Sequence, residues 1–243
     1  MGKPTTTVQS AADAYWQDIA PDEYALLLQA DAEQDEDTVF LWLVAVLIYY
    51  DVQRRRNIPP VVLRAILDKA LANGYAGADQ LGGQLISGAI NPARWRLEMG
   101  RIVEQVHQAG GAAARGGWTQ LSGADKRFIQ GRIDKQLEYL DSFLTEIESG
   151  TQKLNGRFLR RSRMYNDAAR GTYEAMRGRL HEQGGYNEEM RVLGKADHCL
   201  DCVDFAGRGW QPIGALPTIG ESVCRTNCHC HFEYRNKAGN VSR

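Results

Sequence analysis

The sequence predicts a mainly α-helical protein, with a multi-helix body that contains a long antiparallel helical hairpin and a small C-terminal β-rich zinc-binding module. Two observations predict this architecture: apolar residues recur at helical spacing through the middle of the chain, and all five cysteines lie within the last 45 residues. The composition, 43% hydrophobic and 24% charged over 243 residues, excludes a chain that is disordered throughout. We expect three regions: a helical region at 1–110, the hairpin at 111–186 and the Cys-rich module at 187–243.

The strongest helical pattern lies in the middle of the chain. Ser122 is a suitable N-cap, and the apolar residues that follow advance by three or four positions until Gly150. A second helix with similar spacing ends before Gly184. The two stripes are Ile129, Ile133, Leu137, Leu140, Leu144 and Ile147, then Phe158, Tyr165, Ala169, Tyr173, Met176 and Leu180. Two long helices joined by a short break most simply pack antiparallel, so both stripes predict core.

Proline and glycine divide the N-terminal region into shorter predicted helices. One helix after Pro60 is expected to end at Gly74, and another that begins at Pro92 is expected to end at Gly110. The apolar run at 39–50 is shorter than the roughly 20 residues that a membrane span needs, so we expect a buried helix and no membrane association. The first forty residues lack a basic start followed by an apolar stretch, which predicts a protein without a signal peptide, made in a cytoplasm.

Charge is unevenly distributed, although the formal net charge is only -1. Residues 1–50 carry nine acidic side chains against Lys3, whereas residues 151–180 carry eight basic side chains against Asp167 and Glu174. This polarity indicates complementary surfaces, either within the fold or with an acidic partner such as DNA. Two ordinary solvated helix faces are the plainer interpretation.

The cysteines are the residues that indicate chemistry. Cys199 and Cys202 form a Cys-x-x-Cys pair, and Cys224 and Cys228 form a second pair separated by three residues; both spacings suit zinc ligands. In a chain without a secretion signal, this clustering favours a metal site over disulfides. We expect these four thiolates to hold one structural zinc, favoured over an iron–sulfur cluster because no cluster-type cysteine run is present. Three residues remain open as alternative ligands: Cys230, His229 and His231.

Catalytic motifs are not recognisable elsewhere in the sequence. We find no phosphate-binding glycine loop followed by Lys-Ser/Thr and no Gly-x-Ser-x-Gly turn. His107 and His181 are isolated on predicted helices, where we expect surface or capping positions. A zinc held by four thiolates has no open position for water, so the sequence predicts a protein that is not an enzyme.

The order of motifs is more specific than any one of them. Residues 116–150 contain a Gly-Gly-Trp entry, a long helix and a Gly break (GGWTQLSGADKRFIQGRIDKQLEYLDSFLTEIESG). An Arg-x-x-x-Tyr helix follows at 161–176 (RSRMYNDAARGTYEAM). The tail then contains HCLDC (198–202), GWQPIGALPTIGES (209–222) and CRTNCHCHFEY (224–234). This combination, over roughly residues 92–235, resembles the minor head, or head-morphogenesis, proteins of tailed bacteriophages. Many relatives have His-Pro-Asn-Cys near the end, and the resemblance implies that Cys224 takes the ligand role of that histidine.

The resemblance implies a structural or assembly protein of the virion, at the portal vertex or inside the head, made in the bacterial host. The implied partners are the portal protein and/or the major capsid protein, with several copies around a ring and possible non-specific contact with packaged DNA through its phosphates. The alternative hypothesis is a zinc-dependent nucleic-acid-binding protein. It would use the basic helix at 153–179 together with Arg208, Arg225 and Arg235 around the cysteine module.

Overall fold

The computed structural model of this protein describes residues 60–195, 197–225 and 228–242, and the predicted apolar helix at 39–50 lies outside them. The described part is mainly helical with a small antiparallel sheet, as the sequence predicts. Its α-helices are α1 (Pro60–Ile86), α2 (Pro92–Arg115), α3 (Gly123–Glu148), α4 (Gly156–Gln183) and α5 (Leu200–Gly207). Its strands are β1 (Tyr186–Val192), β2 (Gln211–Pro212), β3 (His231–Asn236) and β4 (Val241–Ser242).

The four long helices share one apolar core. α2 and α4 each contact the other three helices. Three buried aromatic side chains, Trp95, Phe143 and Phe158, meet with ring centroids 5.4 to 5.7 Å apart and join α2, α3 and α4. Burial of each such ring stabilises the fold by roughly 1.5–3 kcal/mol. The expected boundary between residues 110 and 111 falls inside α2, which belongs to this core.

The ends of α3 and α4 follow from local signals in the sequence. Ser122 caps α3 in a capping box: its hydroxyl accepts the Asp125 N–H, and the Asp125 carboxylate accepts the Ser122 N–H, both at 3.1 Å. α3 ends at Glu148, just before Gly150, and α4 ends at Gln183, just before Gly184. These predicted boundaries are confirmed.

Polar contacts between α3 and α4 occur along their whole length. Arg179 pairs with Asp125 at 3.0 Å and the Tyr165 hydroxyl donates to the Tyr139 carbonyl at 3.0 Å. At the other end of the pair, Arg161 donates to Glu146 at 2.8 Å. From one contact to the next, the residue number in α4 decreases as the residue number in α3 increases, so α3 and α4 run antiparallel.

Two predicted helix ends are wrong. α1 continues past Gly74 to Ile86, and α2 continues past Gly110 to Arg115. A Cβ on Gly110 would lie 2.8 Å from the Ala169 carbonyl oxygen, and one on Gly74 would lie 2.7 Å from the Asn166 side chain. Both glycines therefore permit close approach of α4 to its neighbours and do not terminate helices.

The expectation of a surface or capping position is wrong for His107. The His107 side chain is 1% exposed, and its Nδ1 forms a hydrogen bond with the Thr172 hydroxyl at 2.7 Å. His181 is half-buried and stacks on Tyr234 with ring centroids 4.1 Å apart. Both histidines are parts of contacts between elements that helical periodicity does not reveal.

The sheet has the order β2-β1-β3-β4 and every neighbouring pair is antiparallel. β3 contains the extended segment that the sequence predicts at 231–235, whereas β1 begins earlier than the segment predicted at 190–194 and overlaps it only at 190–192. The sheet packs on α4 through the buried Tyr234, and the carbonyl oxygen of Ile219 approaches α4 at Gly171, where a Cβ would lie 2.7 Å away.

Among the helices that the structure describes, none combines the length and the apolar character that crossing a membrane requires.

Replacing Gly110 with alanine is expected to lower the free energy of unfolding by about 1–2 kcal/mol, because overpacking against α4 outweighs the gain in helix propensity. Gly131→Ala is the matched control, since Gly131 lies inside α3 and a Cβ there would meet no atom within 4 Å; it should stabilise by about 0.5–1 kcal/mol. Urea denaturation of both variants measures the difference. Equal stabilisation by the two alanines would contradict the packing role of Gly110.

Acid is expected to destabilise the protein through His107. Burial, and next the charge of Arg132, lower the pKa of His107 to about 3 from its ordinary 6.5. At a pH between these two values, His107 is protonated in the unfolded chain but not in the folded chain. The free energy of unfolding therefore falls as the pH drops below 6.5. The loss at pH 5 relative to pH 7 should be about 2 kcal/mol larger in the wild type than in His107→Gln. Equal losses, measured by denaturation at both pH values, would refute this.

Candidate metal centre

The Cys-x-x-Cys pair is positioned by α5, a helix of eight residues. Cys199 is the N-cap of α5 and Cys202 lies in its first turn, so both sulfurs face the same end of the helix. The Asp201 carboxylate accepts the Val223 N–H at 2.9 Å. This bond ties the loop that carries Cys224 to the start of α5.

Two tight turns bring the second cysteine pair back to the same place. The Arg225 N–H donates to the Ser222 carbonyl at 2.7 Å, and the Cys228 N–H donates to the Arg225 carbonyl at 3.2 Å. Arg225 has a left-handed backbone with φ of 47°, a conformation that L-residues adopt mainly in turns. The sulfurs of Cys224 and Cys228 both approach that of Cys202.

The five sulfurs form two groups that share Cys202. The sulfur of Cys202 lies 3.6 Å from that of Cys224 and 3.6 Å from that of Cys228. Cys199, Cys202 and Cys224 form one group with all sulfurs within 4.8 Å of one another, and Cys202, Cys228 and Cys230 form the other. These clustered thiols can hold a metal ion.

The cysteine environments differ in how readily each thiol ionises. The Cys202 N–H, a hydrogen-bond donor to the Cys199 sulfur, lowers the pKa of Cys199 to about 7. Burial opposes ionisation of Cys228, but the Cys230 N–H and neighbouring thiols outweigh it and lower the pKa of Cys228. Burial raises the pKa of Cys202 and of Cys224, and burial together with Cys228 raises the pKa of Cys230 to about 12. A bound cation would favour the thiolate at every one of these positions.

A buried guanidinium lies beside the sulfurs. Arg191, on β1, is 1% exposed; it donates to the Pro217 carbonyl, and its Nη1 lies 3.8 Å from the Cys228 sulfur. The guanidinium also lies over the Phe232 ring, 4.7 Å from its centroid. A fixed positive charge at this position stabilises negative charge on the cysteine cluster.

The structure brings together all four predicted ligands and adds two residues to them. The four are Cys199, Cys202, Cys224 and Cys228, in the two groups that share Cys202. Cys230, an open alternative in the sequence, joins the second group. His198 was missed, although it directly precedes Cys199; its Nδ1 lies 3.6 Å from the Cys230 sulfur. His229 is exposed, and neither it nor His231 joins either group within the described residues.

Most of the predicted basic helix is neutralised inside the fold. In α4, Arg163 pairs with Asp79 and Arg170 with Asp68, both partners lying on α1. Two further arginines of α4 pair with acids on α3, and Arg177 pairs with Glu174 within α4 at 3.2 Å. Five of the eight basic side chains at 151–180 thus have an acidic partner in the same chain.

A groove of about 820 Å³ lies between α3, α4 and the loop that carries Cys224. Its basic lining side chains are Arg132, Lys135, Arg161 and Arg225, and its acidic one is Glu221. Of these, Arg161 is neutralised by Glu146. The groove therefore keeps an excess of positive charge directly beside the cysteine cluster.

Comparison of the chain with protein-family models, with curated proteins and with solved structures gives no match.

Replacing Cys202 with serine is expected to weaken divalent-metal binding at least 100-fold, because its sulfur belongs to both cysteine groups. Leu200→Ser is the matched control: Leu200 lies between the two cysteines of the pair, and its side chain is 87% exposed. Titration with Co²⁺, followed by its thiolate charge-transfer absorption, measures both variants. Metal affinity in Cys202→Ser equal to that of the control would mean that the sulfurs do not act together.

Proposed function

We propose that this chain is a non-enzymatic structural protein of phage head assembly, whose C-terminal module is held together by zinc. The observation that carries the proposal is the meeting of five thiols at the base of a small sheet that is anchored to a long helix. Zinc suits this donor set because sulfur ligands favour it over the hard cations magnesium and calcium. The predicted ligands are Cys199, Cys202, Cys224 and Cys228, and four thiolates leave no position for a reactive water.

The size of the module supports a structural role for the metal. In the described residues its core contains seven buried side chains, three of which are cysteines. An apolar core this small contributes little to stability without a disulfide or a metal. Zinc binding would supply the missing stabilisation, as in other small metal-dependent domains.

The proposed partner surface is the groove beside the module. α3 and α4 form the predicted helical hairpin in this proposal, and the groove runs between them and the Cys224 loop. Arg132 and Lys135 supply positive charge without an ion pair of 4.0 Å or less in the described part of the chain. An acidic protein face fits this groove by charge. The resemblance to phage minor head proteins points to the portal or the major capsid protein, in the head of the virion, as that partner.

The internal ion pairs of α4 count against the nucleic-acid alternative. A helix that binds phosphates needs free cations, and most of the α4 arginines already contact carboxylates. Exposed bases remain at the start of this segment, at Lys153, Arg157 and Arg160. The salt dependence of binding therefore has to separate the two hypotheses.

Chelation of zinc from the reduced protein is expected to loosen the module and leave the helical body intact, because the body has its own apolar core. Hydrogen exchange should show loss of amide protection in β1 and β3 and retained protection in α2. Return of protection on adding Zn²⁺ is the control for reversibility. Protection of β1 and β3 that does not change with the chelator would contradict a structural metal.

Co-purification with the phage portal ring, with and without the major capsid protein, tests the function. We expect a stable complex with a fixed number of copies per ring. The double variant Arg132→Glu/Lys135→Glu should lose at least 90% of capture. Arg101→Glu, a 61% exposed arginine on α2 outside the groove, should not. Failure to bind either partner, with binding to DNA that weakens steeply with salt, would overturn the proposal in favour of the nucleic-acid alternative.

A further inference from the structure

The cysteine cluster contains more donors than one tetrahedral ion can use. Five sulfurs and the imidazole of His198 lie together, whereas a single tetrahedral zinc takes four ligands. The buried sulfurs of Cys202, Cys228 and Cys230 lie within 4.8 Å of one another. The His198 Nδ1 lies 3.6 Å from the Cys230 sulfur, so a nitrogen donor stands beside that group at Cys230 without lying within 4.8 Å of all three sulfurs.

His198 is oriented in the way that a metal-binding histidine is oriented. Its Nε2 lies 2.8 Å from the Gly194 carbonyl oxygen, which can only accept, so Nε2 carries the proton and donates it. In the neutral imidazole Nδ1 is then the nitrogen without a proton, and it faces the Cys230 sulfur. Histidine ligands typically donate their second ring N–H to a backbone carbonyl, which fixes both the tautomer and the ring orientation.

We propose that the cluster binds two zinc ions. The inference rests on the metal centre proposed above, whose ion is held by Cys199, Cys202, Cys224 and Cys228. The second ion is held by Cys202, Cys228, Cys230 and His198, so that the thiolates of Cys202 and Cys228 bridge the two ions. Each ion then has four ligands, and every clustered donor is used.

Three donor separations agree with this assignment. Zinc with sulfur ligands at about 2.3 Å and nitrogen ligands at about 2.0 Å places neighbouring donors about 3.5–3.8 Å apart. The separations of Cys202 from Cys224, of Cys202 from Cys228 and of Cys230 from His198 are each 3.6 Å. Thiols in simple contact have similar separations, so the number and orientation of the donors carry the argument.

The charge of Arg191 favours two ions over one. One zinc with four thiolates carries two negative charges, and the single guanidinium near the Cys228 sulfur compensates only one of them. Two zinc ions with five thiolates and a neutral imidazole carry one negative charge, which Arg191 balances. Uncompensated charge is costly in a buried site, so the two-ion arrangement is the one that this neighbour matches.

The zinc content of the full-length chain tests the inference. Protein purified under reducing conditions, freed of loosely bound metal and weighed by native mass spectrometry should retain two zinc ions per chain. The double variant His198→Asn/Cys230→Ser should retain one. His229→Asn is the matched control, because His229 is an exposed histidine next to Cys230, and it should retain two.

The outcomes separate this inference from the metal centre on which it rests. One zinc in the wild type, and one in the double variant, would overturn the two-ion arrangement and leave the single structural site in place. No zinc in the wild type would overturn both. Because the wild-type count is decisive by itself, the inference remains testable even if the double variant does not fold. Two ¹¹³Cd resonances from cadmium-substituted wild type would provide independent support, and one resonance would contradict it.

Discussion

The meeting of cysteines from three separate segments around Cys202 is the constraint on which the C-terminal module depends. The start of α5 supplies Cys199 and Cys202. The loop that leads to the turn at Arg225 supplies Cys224, and the segment that leads into β3 supplies Cys228 and Cys230. The buried side chains around them are too few to form a core of the usual kind. A cation that holds these sulfurs would therefore fix the path of the whole module, and the sheet would follow from it.

The helical body orients this module by close contacts with α4. The Ile219 carbonyl reaches the α4 backbone only because Gly171 has no side chain, and Tyr234 stacks on His181 at the other end of the contact. Most arginines of α4 form ion pairs with acidic side chains of α1, of α3 or of α4 itself. The proposed partner surface is the basic groove, which both the body and the cysteine loop line. The cysteine cluster and this proposed surface are therefore adjacent.

Local signals in the sequence predicted the ends of α3 and α4, the two longer strands and the grouping of the cysteines, because capping, periodicity and spacing depend on neighbours along the chain. Gly74 and Gly110 were wrongly interpreted as helix ends, because their role depends on α4, which is distant in sequence. α5 is too short for periodicity to reveal it. His198 was missed because its ligand-like orientation requires the Gly194 carbonyl and Cys230 to be close in space.

The most direct test of this account is the X-ray absorption spectrum of zinc in the intact, reduced protein. The account predicts neighbours at about 2.3 Å that are mostly sulfur, with a minor nitrogen contribution at about 2.0 Å from His198. A spectrum dominated by oxygen and nitrogen neighbours would mean that the metal binds elsewhere and that the cysteines do not hold it. That result would contradict the central claim that a thiolate-bound cation organises the C-terminal module.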